Sequence, residues 1–112
     1  MIPNTAPAPV GTITLTDGRN SYEFNIWLRS QRFNAIGVVY VMARKTADNN
    51  YNVIYVGQTG DASQRPFNHH RKECFDRHGA DYVFLRTEPN GRRRFEIETG
   101  GAFRFGANNR TQ

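Results

Sequence analysis

The chain has 112 residues, of which 38% are hydrophobic and 12% aromatic, and it carries a formal net charge of +5 with a pI of about 9.9. This length is typical of one domain whose core relies on large aromatic side chains. The single cysteine, Cys74, excludes an intramolecular disulfide framework, and no long apolar run predicts a membrane span. The basic charge is typical of domains that bind nucleic acid, and we expect a cytoplasmic protein with no membrane partner.

Apolar runs of strand type follow a proline-containing lead at residues 1–10, which we expect to be disordered. These runs lie at residues 11–18, 21–29, 35–43, 52–57 and 81–88. The first two alternate apolar and polar residues and predict a β-hairpin. The next two are rich in β-branched residues and predict a second hairpin, which places Tyr40 and Tyr55 on neighbouring central strands. Trp27 and the phenylalanines are interpreted as core residues rather than as base-stacking platforms.

Two helices are predicted around the last strand. The first runs from Asp61 or Ser63 to His78, and Gly79 follows it as a residue suited to the C′ position. The second runs over residues 92–105. The element order ββ, ββ, α, β, α predicts a mixed α+β fold with one domain.

Arg65 and His69 stand four residues apart on the first predicted helix, so they share one face of it. The turn in "GQTGD" is expected to bring that face over the end of the strand that carries Tyr55. A guanidinium beside an imidazole and a phenol suits a phosphodiester pocket. The same residues also fit a solvated helix face above core tyrosines, and from residue types alone this simpler interpretation stands first.

Five ordered matches resemble the GIY-YIG nuclease superfamily, above all its short stand-alone members. The matches are "GVVY" at 37–40, "YVGQT" at 55–59, Arg65, His69 and "RFEIE" at 94–98. The resemblance implies a domain over residues 11–109, with a tail at 110–112. It further implies a small central antiparallel sheet of three core strands, flanked by helices and extended by the N-terminal hairpin. The implied activity is that of an endonuclease that hydrolyses nucleic acid, DNA rather than RNA, with one Mg²⁺ or Mn²⁺ ion.

The resemblance also implies roles for individual residues. The catalytic set is Tyr40, Tyr55, Arg65, His69 and Glu98, and the residues that shape or close the site are Gly37, Gly57, Asn108 and Asn109. Tyr40 is the expected base or water-positioning residue, tuned by Tyr55 and His69, while Arg65 clamps the phosphate. Glu98 is the expected sole protein ligand of the metal, with Glu96 as the less favoured alternative.

The basic run at Arg92, Arg93 and Arg94 is expected to line the nucleic-acid path. A module of this size carries no separate recognition domain, so we expect specificity to come from loops, from a homodimer or from a partner protein. The hairpin at 11–29 is the expected interface.

Departures from the family pattern keep a second function open. Gly101 and Ala102 stand where relatives have large aliphatic residues, and the segment after them is short, so that Asn108 and Asn109 compete for the closing role. These departures favour the alternative of a catalytically weak or inactive module that binds nucleic acid. A scaffold that binds only protein is the third interpretation.

Overall fold

The structure, a computed structural model, describes residues 8–16, 19–47, 50–64 and 72–99. Within these ranges the elements are β1 (Gly11–Thr16), β2 (Ser21–Leu28), β3 (Val38–Ala47), β4 (Asn50–Thr59), α1 (Lys72–Arg77), β5 (Tyr82–Thr87) and α2 (Gly91–Thr99). All neighbouring strands are antiparallel, and their order in the sheet is β1-β2-β5-β3-β4. Neither helix is long and apolar enough to cross a membrane.

The predicted fold, three core strands flanked by helices, is wrong. The described residues form one five-stranded sheet that curls into a half-barrel, accompanied by two short helices. Because β2 pairs along β5, the N-terminal hairpin is an integral part of the sheet rather than an addition to a smaller one. The elements were predicted separately, and their sequence did not indicate this non-local pairing.

The apolar positions of the strands form the first of two buried clusters. One face of the sheet, here called the α2 face, buries a cluster drawn from all five strands: Ile13, Leu15, Tyr22, Phe24, Ile26, Val39, Val41, Ala43, Tyr51, Val56 and Phe84. Ile97 of α2 joins this cluster. Removing apolar area from water contributes about 25 cal/mol per Å² whatever covers it. Among the described residues, the strands supply every member of this cluster except Ile97.

The opposite face, here called the α1 face, carries the second cluster. Its buried members are Val38, Tyr40, Met42, Ala62, Phe75, Ala80, Val83 and Leu85. Phe75 is the buried residue of α1. The Arg29 guanidinium fixes this helix, since it lies 2.8 Å from the Asp76 carboxylate and donates a hydrogen bond to the Ala80 carbonyl at 3.1 Å. Hydrogen bonds from Lys72 and Arg29 lower the pKa of the exposed Asp76 carboxyl.

The five predicted strands are confirmed in number and order within the described ranges, but two of them are longer than expected. β3 continues to Ala47 and β4 runs from Asn50 to Thr59, although the polar residues between the two hydrophobic runs predicted a loop. The pairing of these strands contains register shifts, the first between Met42 and Ala43. Since β4 is an edge strand, the expectation that Tyr55 lies on a central strand is wrong.

The helices are confirmed only in part. Residues 61–64 form a turn in which the Asp61 carboxylate accepts hydrogen bonds from the backbone N–H of Ser63, at 2.9 Å, and from its hydroxyl. The described part of the first helix begins at Lys72, and the predicted residues 65–71 lie outside the described residues. Gly79 follows α1 with a φ of 73°, which confirms the predicted C′ glycine.

The second helix begins at Gly91, close to its predicted start. The Asn90 side-chain oxygen accepts a hydrogen bond of 2.9 Å from the backbone N–H of Arg93, so Asn90 caps the helix. Described helix ends at Thr99, and the rest of the predicted helix lies in residues 100–112, outside the described residues.

Candidate active site

Two tyrosines of the predicted site meet on the α1 face of the sheet. The ring centroids of Tyr40 on β3 and Tyr55 on β4 lie 6.3 Å apart, with 32° between the ring planes. Tyr40 is 1% exposed, whereas Tyr55 is half-buried and packs 5.4 Å from the ring of Phe75 in α1. Tyr55 is therefore the more accessible of the two phenols.

Gly57 makes this arrangement possible. It is the cross-strand partner of Tyr40, and a Cβ at this position would lie 2.6 Å from both Cζ and Oη of the Tyr40 ring. Such a contact is shorter than real Cβ atoms tolerate, so any side chain at position 57 would displace the tyrosine. Gly57, which was predicted to shape the site, thus leaves the space that the Tyr40 ring occupies.

Gly37 precedes β3 at a second close approach. A Cβ there would meet the Arg94 guanidinium and would lie 2.8 Å from the carbonyl oxygen of Glu88. Arg94 donates from Nη1 to the carbonyls of Glu88 and Pro89, both at 3.0 Å, and from Nε to the Gln58 side-chain oxygen at 2.9 Å. These bonds tie the start of α2 to the ends of β4 and β5.

The three arginines predicted to contact nucleic acid therefore differ in what they do within the structure. The donors of Arg94 serve this internal anchor. Arg93 lies 3.5 Å from the Glu96 carboxylate, and its guanidinium lies 5.7 Å from the ring centroid of Tyr22. The Arg92 side chain is 90% exposed and stands 4.0 Å from Glu96. Arg92 is accordingly the most accessible of the three, and their contact with nucleic acid stays a prediction.

The two candidate metal ligands lie on α2 in different surroundings. Glu96 is half exposed and shares its charge with Arg92 and Arg93 through ion pairs. Glu98 is half-buried and follows Ile97, which packs on the α2 face. Both tyrosines lie on the α1 face, whereas Ile97, the neighbour of Glu98, packs on the α2 face.

The surroundings of Glu96 and Glu98 bear on whether either residue could hold a metal ion. Among the residues that the structure describes, no three His, Cys, Asp or Glu side chains lie close enough to hold one ion. Mg²⁺ does not need such a group, since it keeps several waters and is often bound through one or two carboxylates. Ion pairs with Arg92 and Arg93 partly neutralise the charge of Glu96, which weakens Glu96 as a ligand for a cation.

Four predicted site residues lie outside the described residues: Arg65, His69, Asn108 and Asn109. The turn that leads towards Arg65 is nevertheless fixed, since the backbone N–H of Ala62 donates to the Ile36 carbonyl at 2.9 Å. The described residues thus bring together Tyr40, Tyr55 and Gly57, and the assembly of the remaining predicted site stays a prediction.

Sequence reasoning missed a cavity of about 270 Å³ on the same α1 face. Its lining includes Asn25, Trp27, Arg32, Phe33, Asn34 and Leu85. A pattern in β2 points to it: Trp27 alternates out of phase with Tyr22, Phe24 and Ile26, which belong to the cluster of the α2 face. An aromatic residue on the other side of the strand indicates that this side is covered or contacted as well.

The chain was compared with known proteins. No protein-family model matches it, and neither a curated protein nor a solved structure with significant similarity was found. The candidate function therefore depends on the chain's own residues.

Proposed function

We propose that the chain is a metal-dependent endonuclease of the GIY-YIG type, which hydrolyses phosphodiester bonds of nucleic acid, DNA rather than RNA, in the cytoplasm. The observation that carries the proposal is the Tyr40–Gly57–Tyr55 arrangement. A tyrosine on each of two paired strands is directed to one face, and the glycine opposite Tyr40 is required for its ring to fit. This is the juxtaposition on which the resemblance to the nuclease superfamily depends.

In this proposal the two tyrosines have different tasks. Tyr55, the accessible phenol, contacts and orients the attacking water, and the buried Tyr40 holds Tyr55 in position from the strand beside it. This exchanges the roles expected from the sequence, where Tyr40 was the base or water-positioning residue. Arg65 supplies positive charge to the non-bridging phosphate oxygens, and His69 exchanges a proton with Tyr55 or with the water.

Glu98 is the residue that holds the metal in this proposal. A bound Mg²⁺ or Mn²⁺ ion supplies Lewis-acid stabilisation of the charge that develops on the phosphate. The Glu98 carboxylate would hold the ion, and Arg92 and Arg93 attract the nucleic-acid backbone to the exposed side of the same helix.

The second candidate function is a module of related sequence that binds nucleic acid without cutting it. Two observations favour it: Tyr40 is 1% exposed, and α2 is anchored through Ile97 on the face opposite the tyrosines. A chain with either function needs a source of specificity, which we assign to a homodimer or a partner protein contacting the edge strand β1.

Cleavage of supercoiled plasmid and of a structured RNA, with Mg²⁺ or Mn²⁺, tests the proposal. The informative variants are Glu98→Gln and the matched control Glu96→Gln, since each removes one charge from the same helix. We expect Glu98→Gln to lower the cleavage rate about a hundredfold or more, because a metal contributes several kcal/mol of transition-state stabilisation. Glu96→Gln should cut at nearly the rate of the unmodified chain.

A loss of cleavage in Glu96→Gln but not in Glu98→Gln would identify Glu96 as the metal ligand. Equal activity of both variants would show that neither carboxylate has the proposed role. A folded chain that binds DNA in a salt-sensitive manner but cuts neither substrate would establish the binding module instead.

A further inference from the structure

The cavity beside Trp27 lies in line with Tyr40 and Gly57. In the sheet register Asn25 is opposite Leu85, Leu85 is opposite Tyr40, and Tyr40 is opposite Gly57. Residues opposite one another in antiparallel strands share a face, so this row crosses four strands on the α1 face. Two strand spacings, about 10 Å, separate Asn25 from Tyr40. The cavity and the tyrosine pair therefore lie on the same face of the sheet.

The wall of the cavity is aromatic. The rings of Trp27 and Phe33 meet edge to face, with centroids 5.5 Å apart and 79° between their planes. Both rings are half-buried, while Val38 and Leu85 form a buried apolar floor. This geometry leaves apolar ring surface facing an open space, which suits a flat heteroaromatic ligand.

The rim of the cavity is polar and uncharged except at one point. Asn25 and Asn34 are exposed there, and no hydrogen bond between described residues uses either side-chain amide. Each amide offers a donor beside an acceptor, the combination that matches the edge of a nucleobase. Arg32 adds one exposed positive charge at the rim, at a point suited to a neighbouring phosphate.

We infer that the cavity between Trp27 and Phe33 binds one unpaired nucleobase of a single-stranded nucleic acid. The volume of about 270 Å³ lies just below the usual range for ligand sites, which suits one ring system rather than a base pair. The net charge of +5 favours a polyanion over an uncharged aromatic ligand. The inference deepens the proposed nuclease function, on which it rests for the identity of the ligand, by naming unpaired strands as the substrate class.

The experiment uses the fluorescence of Trp27, which is the one tryptophan in the chain. The full chain is titrated in EDTA with an oligothymidylate of about eight nucleotides, a length within the range bound by single-strand modules. The comparison ligands are an abasic deoxyribose-phosphate strand of equal length, thymidine monophosphate, and a blunt duplex. We expect saturable quenching by the oligothymidylate and affinity at least about fivefold tighter than for the abasic strand, since a stacked base contributes that much.

Several results would overturn the inference. Unchanged Trp27 fluorescence at saturation with the oligothymidylate, or equal affinity for the abasic strand, would show that no base enters the cavity. Equal quenching by the duplex would contradict the requirement for an unpaired base. Monophosphate binding as tight as that of the strand would identify a free nucleotide as the ligand.

Variants locate the base within the cavity. Phe33→Leu keeps an apolar side chain but removes the ring, and we expect it to weaken oligothymidylate binding about fivefold or more. Asn25→Ala should weaken binding about threefold through one lost hydrogen bond. Asn52→Ala makes the same change at an exposed position of β4 and should leave oligothymidylate binding unchanged. None of the three variants should change the affinity for the abasic strand. Equal loss in the Asn52 control would contradict the assignment.

This test separates the two proposals, since it requires neither metal nor cleavage. Base-dependent quenching by a chain that cuts nothing would uphold the base site and refute the nuclease. Metal-dependent cutting with no fluorescence response would uphold the nuclease and refute the base site.

Discussion

The ring of Tyr40 occupies the space that a Cβ atom at Gly57 would need, and the two residues are direct partners across β3 and β4. Gly57 lies inside a strand, so a tight turn does not explain this glycine. Its reason is the close approach of a large ring, and because Tyr40 is 1% exposed the ring has little room to move away.

Gly57→Ala should therefore destabilise the fold. Overpacking a close-packed site commonly costs about 1–3 kcal/mol, and we expect a loss in that range in urea unfolding followed by circular dichroism. Gly11→Ala is the matched control, because a Cβ there would lie 3.8 Å from the Ile26 side chain, an ordinary contact. Equal free energies of unfolding for the two variants would show that Tyr40 is not confined as described.

The anchor formed by Arg94 gives a second prediction. Arg94→Ala removes the hydrogen bonds to Gln58, Glu88 and Pro89, and we expect it to cost about 2 kcal/mol, since hydrogen bonds from charged groups stabilise most. Arg92→Ala changes the same residue type at a 90% exposed site and should alter the free energy of unfolding by less than about 0.5 kcal/mol. Similar losses in both variants would refute the anchoring role.

Tyr51 predicts a loss of stability at alkaline pH. Burial, assisted by the neighbouring Tyr82 and Asp81, raises the pKa of the Tyr51 phenol above its ordinary value. A raised folded-state pKa means that the stabilisation is present below the unfolded pKa, near pH 10, and is lost as pH rises through the folded value. The free energy of unfolding should fall less between pH 9 and about 11.5 in Tyr51→Phe than in the unmodified chain. Parallel curves for the two proteins would contradict this assignment.

Binding of nucleic acid should depend on salt through the exposed face of α2. Arg92→Ala and Arg93→Ala should each lower the slope of log affinity against log salt by about one, if each arginine neutralises one phosphate. Lys45→Ala removes an exposed charge from β3 and should leave the slope unchanged. The measurement is fluorescence anisotropy of labelled DNA over a series of salt concentrations, and an equal effect of Lys45→Ala would refute a path along α2.

Local patterns predicted the strands because alternation and β-branched runs report on burial by neighbouring residues. Gly79 was predictable for the same reason, since its conformation depends on the end of α1 alone. The pairing of β2 with β5 was not, because it joins positions almost sixty residues apart through a register that neither strand specifies by itself. The prediction of a loop over residues 44–47 was wrong for another reason. These residues are exposed on a part of β3 that extends beyond the core, and exposed loops have a similar composition.

The candidate site was likewise predictable from the sequence only in part. Motif spacing placed Tyr40, Tyr55 and Gly57 on paired strands, and the structure brings them together. The face on which α2 packs depends on how Ile97 fits the curled sheet, which the helix sequence does not contain. The Trp27 cavity likewise depends on contacts between β2 and the segment that carries Phe33.

The most direct test of the central claim compares two tyrosines on the same strand. Tyr55→Phe removes the hydroxyl proposed to orient the attacking water, and Tyr51→Phe makes the same change in the cluster of the opposite face. In plasmid nicking with Mg²⁺, we predict that Tyr55→Phe lowers the rate about a hundredfold, as expected when the attacking water loses the group that orients it, and that Tyr51→Phe cuts like the unmodified chain. Cleavage by Tyr55→Phe at the full rate, or no metal-dependent cleavage by the folded unmodified chain, would contradict the account.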